Sequence, residues 1–488
     1  MLRNKTITHL FLALWLVMSL ASCASDTASD APVPQDEKVY LSVAIHVNGE
    51  NDASTRAEDY TFEPNPWGGE HGNGDFSGEA YERQVSNLSL LFYTSSKTDL
   101  TDGNARIEKV VYFPSVTTDG KRTIAVEVDP KFLDNKNLRF LVIANTNDLS
   151  EYRGRTIAEV REQLITNVFN RSDDASFTKK GDLTGFSSFV MSSHGQSSMT
   201  YKSGSGTQED PYVIDHEIER MAVRIDILPH VPRYNLDKNN LYCNYCYDVT
   251  EGSNVIGGFM LEYVRPYNVL SSKEYVFKRT AVDKNLTDLT YLGLEKDVNN
   301  KSTNYVVDPT SLDKSQATFS YPKNTAEYWA TATYEDFYKT RNAGKTHTNS
   351  TGSKAADPYD PETAYYILDY VKENTSFDNN EQYATGLVFK GKYYEKNDWV
   401  VATEAAKAAG ETSHPKDGAT GTDKAYTYVI RHSDPDGNGT TSDPMHYGIV
   451  RNNIYRVRID GVTGKEDGLK LTINVRKWAT YTHEEATM

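Results

Sequence analysis

Three cysteines, eleven histidines and a few glycine- and aspartate-rich runs are where this chain of 488 residues has the side chains to do chemistry. Cys243 and Cys246 form a C-x-x-C inside Tyr242-Cys243-Asn244-Tyr245-Cys246-Tyr247. A thiol–disulfide redox centre places such a pair at a helix N-terminus after a strand, and nothing in the flanking pattern predicts that helix. A zinc site needs two further ligands at suitable spacing, and none are near. Residues three apart on a regular strand point to opposite faces, so a bridge between the two requires a turn or bulge. A local disulfide and two thiols are the open alternatives.

The other motifs are incomplete. Gly386-Leu387-Val388-Phe389-Lys390-Gly391-Lys392 has the glycine spacing of a phosphate-binding loop, but Tyr393 stands where the magnesium-binding Ser or Thr belongs. Leu-Val-Phe also reads as strand rather than as a loop of free N–H groups. The histidines never take the H-E-x-x-H spacing of a zinc hydrolase, and no G-x-S-x-G elbow occurs. Asp434, Asp436 and Asn438 offer oxygens at alternate positions, like the start of a calcium loop, with Gly439 sixth. The twelfth position is Met445 instead of a bidentate Glu, and Asp/Asn/Gly runs of this kind are usually turns. Of these motifs it comes nearest to a site, and it makes a weak calcium candidate. The expectation is a protein that is not an enzyme and needs no cofactor.

Covalent processing is better supported. Arg3 and Lys5 precede an apolar run from Leu10 to Leu20, broken only by Ser19, and Leu20-Ala21-Ser22-Cys23 follows at once. This has the form of a signal peptide over residues 1–22, too short and wrongly flanked for a spanning helix. The small residues before Cys23 resemble the bacterial lipobox, whose cysteine is acylated and becomes the first mature residue. Ala24, in place of Asp, points by the same resemblance to the outer membrane. An ordinary cleaved signal with a chance cysteine is the alternative. No later stretch approaches the ~20 apolar residues that span a bilayer.

With 52 basic against 68 acidic side chains there is no positive stripe for phosphates, so nucleic acid is not expected as a partner. Acidic surface of this kind serves solubility. Thirty-three tyrosines suit half-exposed strands of an all-β extracellular protein. Residues 24–36 read as a flexible tether. Val39, Leu41, Val43, Ile45 and Val47 then alternate with Tyr40, Ser42, Ala44 and His46, which makes one aliphatic face that must lie on a core. Asn48-Gly49 breaks the strand, and Arg56-Ala57 follows in polar surroundings where proteolysis is easiest.

Further strands are predicted at 88–93, 109–113, 123–128, 138–144, 186–191, 218–228, 257–263, 365–371, 386–389 and 448–459. A last one carries Leu469, Leu471, Ile473 and Val475 in alternation. Thr156 with Glu159 forms a capping box, and Ile157, Val160, Leu164 and Val168 make one helical stripe. A short helix is predicted at 404–409. Many short strands with few helices indicate two β-sandwiches.

Several segments, in this order, resemble the fimbrillins that build type V pili in Bacteroidales-type bacteria, most of all the major subunit of the short, Mfa-type fimbriae. They are the lipobox at Cys23; the strand 39–47 with Thr55-Arg56-Ala57 behind it; Leu138 to Asn145; Phe189-Val190-Met191-Ser192; Ile218 to Arg224; and the end of the chain. That end, Tyr447 to Tyr455 with Val475-Arg476-Lys477-Trp478, is the most specific part. Val371 to Asn374 and Thr385 to Tyr393 add two weaker likenesses.

The resemblance implies two transthyretin-like, Greek-key sandwiches, here 57–216 and 217–488. It implies an outer-membrane lipoprotein precursor whose segment 23–56 is removed by an Arg-specific or trypsin-like surface protease cutting between Arg56 and Ala57. Loss of the first strand opens a groove, and an unpaired edge beside an exposed core templates another strand. A neighbouring subunit's C-terminal segment fills the groove, and head-to-tail repetition gives an open filament, the extracellular pilus. Leu469, Leu471, Ile473 and Val475 are the candidate donor strand; the ten residues after Trp478 are only weakly apolar. Shaft and tip roles are both open. The competing reading is a surface glycan-binding lipoprotein of two sandwiches, with aromatic platforms drawn from the tyrosines and five tryptophans.

Overall fold

The computed structural model describes residues 39–48, 80–97, 100–116, 124–128, 137–171, 186–194, 204–228, 246–281, 285–287, 289–292, 305–320, 366–408, 413–432, 446–464 and 468–477. These form a mainly β protein dominated by two large sheets, with a few short helices.

The first sheet holds seven strands: β1 (Val39–Asn48), β2 (Leu88–Thr94), β3 (Ile107–Phe113), β4 (Ile124–Val128), β5 (Leu138–Ala144), β6 (Met191–Ser193) and β7 (Tyr212–Arg220). Their order is β3-β2-β5-β6-β7-β1-β4. The strand predicted at 39–47 is therefore an interior strand. The second sheet holds eight: β8 (Ala222–Leu228), β9 (Cys246–Glu251), β10 (Asn254–Tyr267), β11 (Tyr366–Lys372), β12 (Gly386–Glu395), β13 (Thr422–Val429), β14 (Asn453–Thr463) and β15 (Gly468–Lys477). The path runs β11-β8-β14-β9-β10-β12-β13, with β15 paired to β14.

Period-two alternation explains why the central strands of the first sheet are apolar throughout. On β2, Leu88, Leu90 and Phe92 join Leu138, Phe140 and Val142 of β5 in one core with Leu41, Val43 and Ile45. Leu91 and Tyr93 face the other way with Leu141 and Ile143, in a second core closed by Ile157, Val160, Val276 and Phe277. Sheet two has its own core, built around Val223, Ile225, Phe259, Leu387, Phe389, Val457 and Ile459.

Four sequence expectations shift. The capping box of Thr156 and Glu159 forms, but its helix stops at Arg161. Leu164 lies outside it, in a two-residue strand with Ile165 that pairs with Glu274–Tyr275; strand pairing from the second half outbids one more helical turn. The segments 186–191 and 218–228 are each interrupted, at Val190 and Met221, and the Met221 N–H donates to the Val190 carbonyl at 2.9 Å. Met221 is where the chain leaves the first sheet for the second. The strand expected from Gly448 begins only at Asn453, because Ile449 is bridged to Asn374 and Asn452 takes a left-handed φ of 61°.

The phosphate-loop lookalike is the strand β12, whose backbone is committed to ladders with β10 and β13. Its glycines serve packing. A Cβ at Gly391 would sit 2.1 Å from the Met260 carbonyl oxygen, and one at Gly386 would sit 2.4 Å from the Tyr267 ring.

Candidate assembly site

Among the described residues, β1 makes the only parallel pairing of its sheet. It runs beside β7 from Leu41 opposite Tyr212 to Asn48 opposite Glu219. On its other side it is antiparallel to β4, with Val39 opposite Val128 and Val43 opposite Ile124. The Tyr40 N–H donates to the Gly206 carbonyl at 2.9 Å, which sets where the strand enters. Leu41, Val43 and Ile45 are buried, at 0%, 1% and 7% exposure. Burying three such side chains contributes about 4–9 kcal/mol gross, a large share of the stability of a typical domain.

A polar pair lies in the same seat. His216, opposite Ile45 in register, is buried with its ring 4.7 Å from that of Phe140. Its Nε2 and the Ser193 hydroxyl share a 2.7 Å hydrogen bond, and the Val142 N–H donates to the same hydroxyl at 2.7 Å. The floor under β1 is thus held by β5, β6 and β7 independently of β1.

The candidate donor segment is β15, in the other sheet. It pairs antiparallel with β14 from Asn453 opposite Lys477 to Thr463 opposite Gly468, and with no other strand among the described residues. β14 also pairs with β8 and β9, both parallel. Since β15 takes one edge of β14 over its whole length, those two must share the other. Among the described residues β15 is accordingly an edge strand held by a single ladder. For Val39, Val47, Leu469, Leu471, Ile473 and Val475 the backbone positions are described. Cys23, Arg56, Ala57, Cys243 and the calcium candidates Asp434, Asp436 and Asn438 lie outside the described residues. Cys246 is buried in β9.

Four of the segments that carry the family likeness, 189–192, 218–224, 371–374 and 447–455, supply residues to a buried ionic junction between the two large sheets. Arg224 Nη1 donates to both oxygens of Glu82 at 2.9 and 3.1 Å, while its Nε and Nη2 donate to Asp226 at 2.7 and 3.1 Å. The Tyr370 hydroxyl also donates to Glu82. Arg220 donates to the Glu82 carbonyl at 2.7 Å and to Asn452 Oδ1 at 3.2 Å, and burial pulls its guanidinium down to about 10. Arg451 is clasped by Glu373 and donates to the carbonyls of Tyr275 and Val276 at 2.8 and 3.2 Å. Val276 in turn accepts from the Ser192 hydroxyl at 2.7 Å.

Sequence reading passed over this junction, although it held one usable signal. An arginine inside an apolar strand, as at Arg220 and Arg224, requires a buried counter-charge. Asp226 lies two residues from Arg224, but the other partners, Glu82 and Glu373, lie far off in the chain and carry no motif.

Glu274 is the odd member. It is fully buried, and neither carboxyl oxygen has a hydrogen-bond partner among the described residues. Burial pushes its carboxyl up to about 8; Arg451 and Lys372 pull against this, while Glu373 and Asp308 add to it. A carboxyl that keeps its proton in the fold and loses it when unfolded supplies stability below its ordinary pKa and loses it as pH rises through the folded value. The melting temperature should therefore fall by several degrees between about pH 5 and 8, and Glu274→Gln should flatten that slope. A thermal scan across pH checks this; equal slopes in the two proteins would contradict it.

The described tyrosines are largely interior. Tyr93, Tyr267, Tyr370 and Tyr455 are among the largest wholly buried side chains, and Trp399 is buried against Tyr394 with its N–H donating to Asp248 at 2.8 Å. These aromatics are not sugar platforms.

No protein-family model matches the chain, and no curated protein does. Among solved structures it is similar to the C-terminally truncated tip fimbrial protein Mfa3 from Porphyromonas gingivalis, at 12% identity and a TM-score of 0.38, over 91% of this chain and 100% of that one. A fimbrilin from the same organism gives 14% and 0.36 over 90% and 98%. A fimbrial assembly protein from Parabacteroides distasonis gives 9% and 0.31 over 90% and 99%. What this chain is similar to, in its sequence motifs and in solved structures alike, is the fimbrial proteins of Bacteroidales-type bacteria.

Proposed function

We propose that this protein is a structural subunit, shaft or tip, of a cell-surface type V pilus serving adhesion, with no catalytic role. It is exported as an outer-membrane lipoprotein acylated at Cys23, cut between Arg56 and Ala57 by an Arg-specific or trypsin-like surface protease, and polymerised by strand exchange. The observation that carries the reading is the placement of β1. An interior strand that supplies Leu41, Val43 and Ile45 to the core is followed, eight residues past Asn48, by an arginine in breaker-rich sequence. A cut there would leave β1 joined to the rest of the chain by hydrogen bonds and packing alone.

The donor we propose is β15 or the tail directly after it. Its single ladder makes it detachable without dividing the sheet, and its alternating aliphatics match those of β1 in period, as a shared register requires. The part of the chain that carries the first sheet then acts as the acceptor half of one subunit, and the part that carries the second sheet as the donor half.

N-terminal sequencing of the protein taken from the cell surface tests the processing step. We expect Ala57 as the first residue, and Arg56→Ala to accumulate as lipidated monomer. An acylated Cys23 on the surface form, or normal filaments from Arg56→Ala, would refute the scheme.

A further inference from the structure

β4 is joined to its sheet through one neighbour. Its five residues pair with Val39–Val43 of β1 and, among the described residues, with no other strand. β7, on the other side of β1, is held differently. It pairs with β6 at Ile218, Glu219 and Arg220, and the His194 N–H donates to the Glu217 carbonyl at 2.9 Å. Its side chains Ile214 and Ile218 belong to the core, and His216 is bonded to Ser193. The two walls of the β1 seat are therefore unequal. Taking β1 away leaves β7 fixed by contacts that do not involve β1, while β4 loses its whole ladder.

We propose that β4 is a flap: it is released when β1 leaves and closes again on the strand that a second copy of this chain inserts, so that the incoming strand is gripped between a fixed wall and a movable one. The inference rests on the strand-exchange reading above and adds to it the identity of the moving part. A five-residue strand with every backbone pair on one neighbour cannot persist as a sheet member without that neighbour, since its N–H and C=O groups must find partners or return to water. The occupant is defined by the walls. To pair with both as β1 does, it must lie parallel to Tyr212–Arg220 and antiparallel to Ile124–Val128. An extended aliphatic strand of a neighbouring subunit, of the character of β15, has the required period. Gripping from two sides returns the backbone groups of β4 to a ladder, which is why the flap should re-form only on a bound strand and not on an empty groove.

Amide hydrogen exchange on the full chain tests this in three states: intact precursor, protein cut at Arg56 and freed of its N-terminal peptide, and assembled filament. We expect the amides of Ile124–Val128 to exchange at least about tenfold faster in the cut monomer than in the precursor, with β2 and β5 unchanged, and to regain protection in the filament. Adding a peptide of residues 36–48 to the cut monomer should restore protection at the same amides. Undiminished protection of Ile124–Val128 in the cut monomer, with filaments still forming, overturns the flap and leaves strand exchange standing. A site-specific protease sequence placed at 52–57 supplies the cut monomer if Arg56 is not the natural site. In that case the processing scheme fails and the flap is still judged by the same amides.

Discussion

Val43→Asp abolishes the folded precursor: we expect little soluble, lipidated chain and no cooperative melting of the first sheet. Val43 is the middle of the three described core residues of β1, opposite Ile214 on one side and Ile124 on the other. The substitution removes an aliphatic group worth about 1.5–3 kcal/mol and sets an unpaired carboxylate among Leu90, Phe140 and Val142, at a total cost on the order of 5 kcal/mol. Domains of this size have about 5–15 kcal/mol to lose. Glu108→Ala, on the exposed face of β3, is the control and should melt like the natural protein. A Val43→Asp precursor with an unchanged melting curve would remove β1 from the core and with it the basis of the strand-exchange scheme.

Arg224→Met should destabilise the chain by about 3–5 kcal/mol, because it strands Glu82 and Asp226 together in the interior. The midpoint of urea unfolding reads this directly, as a shift with little change in slope. The cost comes from uncompensated charge and not from lost packing, since methionine nearly matches the arginine stem in apolar reach. Neutralising the partners as well, in Arg224→Met with Glu82→Gln and Asp226→Asn, should recover most of the loss. If the triple variant is no more stable than the single one, the junction is held by shape and the ionic account is wrong. Because Glu82 sits in the turn Ala80–Arg83, the same clamp fixes the first described segment after β1 onto β8 and β11. The trimmed chain would keep that anchor after residues 1–56 are gone.

Much of the architecture was legible in the sequence, for a local reason. Alternation of aliphatic and polar residues reports a half-buried strand wherever one face meets a core, and 39–48, 88–94, 138–144 and 468–477 are strands within a residue or two of where the pattern ends. The capping box at Thr156 was equally local. Its helix was overestimated because the stripe through Leu164 and Val168 fits a helix and a strand crossing equally well, and only pairing with Glu274–Tyr275 chose between them. The strand reading of Leu387-Val388-Phe389 was local too, and Gly386–Glu395 is a strand.

Neighbours across the sheet are another matter. Nothing in residues 39–47 says that the strand would be interior, parallel to β7 and the only described neighbour of β4, because backbone pairing carries no residue code beyond period and burial. The ionic junction joins Glu82 to Arg224 and Tyr370, and Arg451 to Glu373, across 78 to 288 residues of chain. Such contacts are dictated by where two sheets come to rest against each other, and charge buried at that interface finds its partner only in three dimensions. The sequence by itself determined that β1 must be buried and that an arginine follows it; the tertiary structure alone decided which walls β1 divides, and which of them can move.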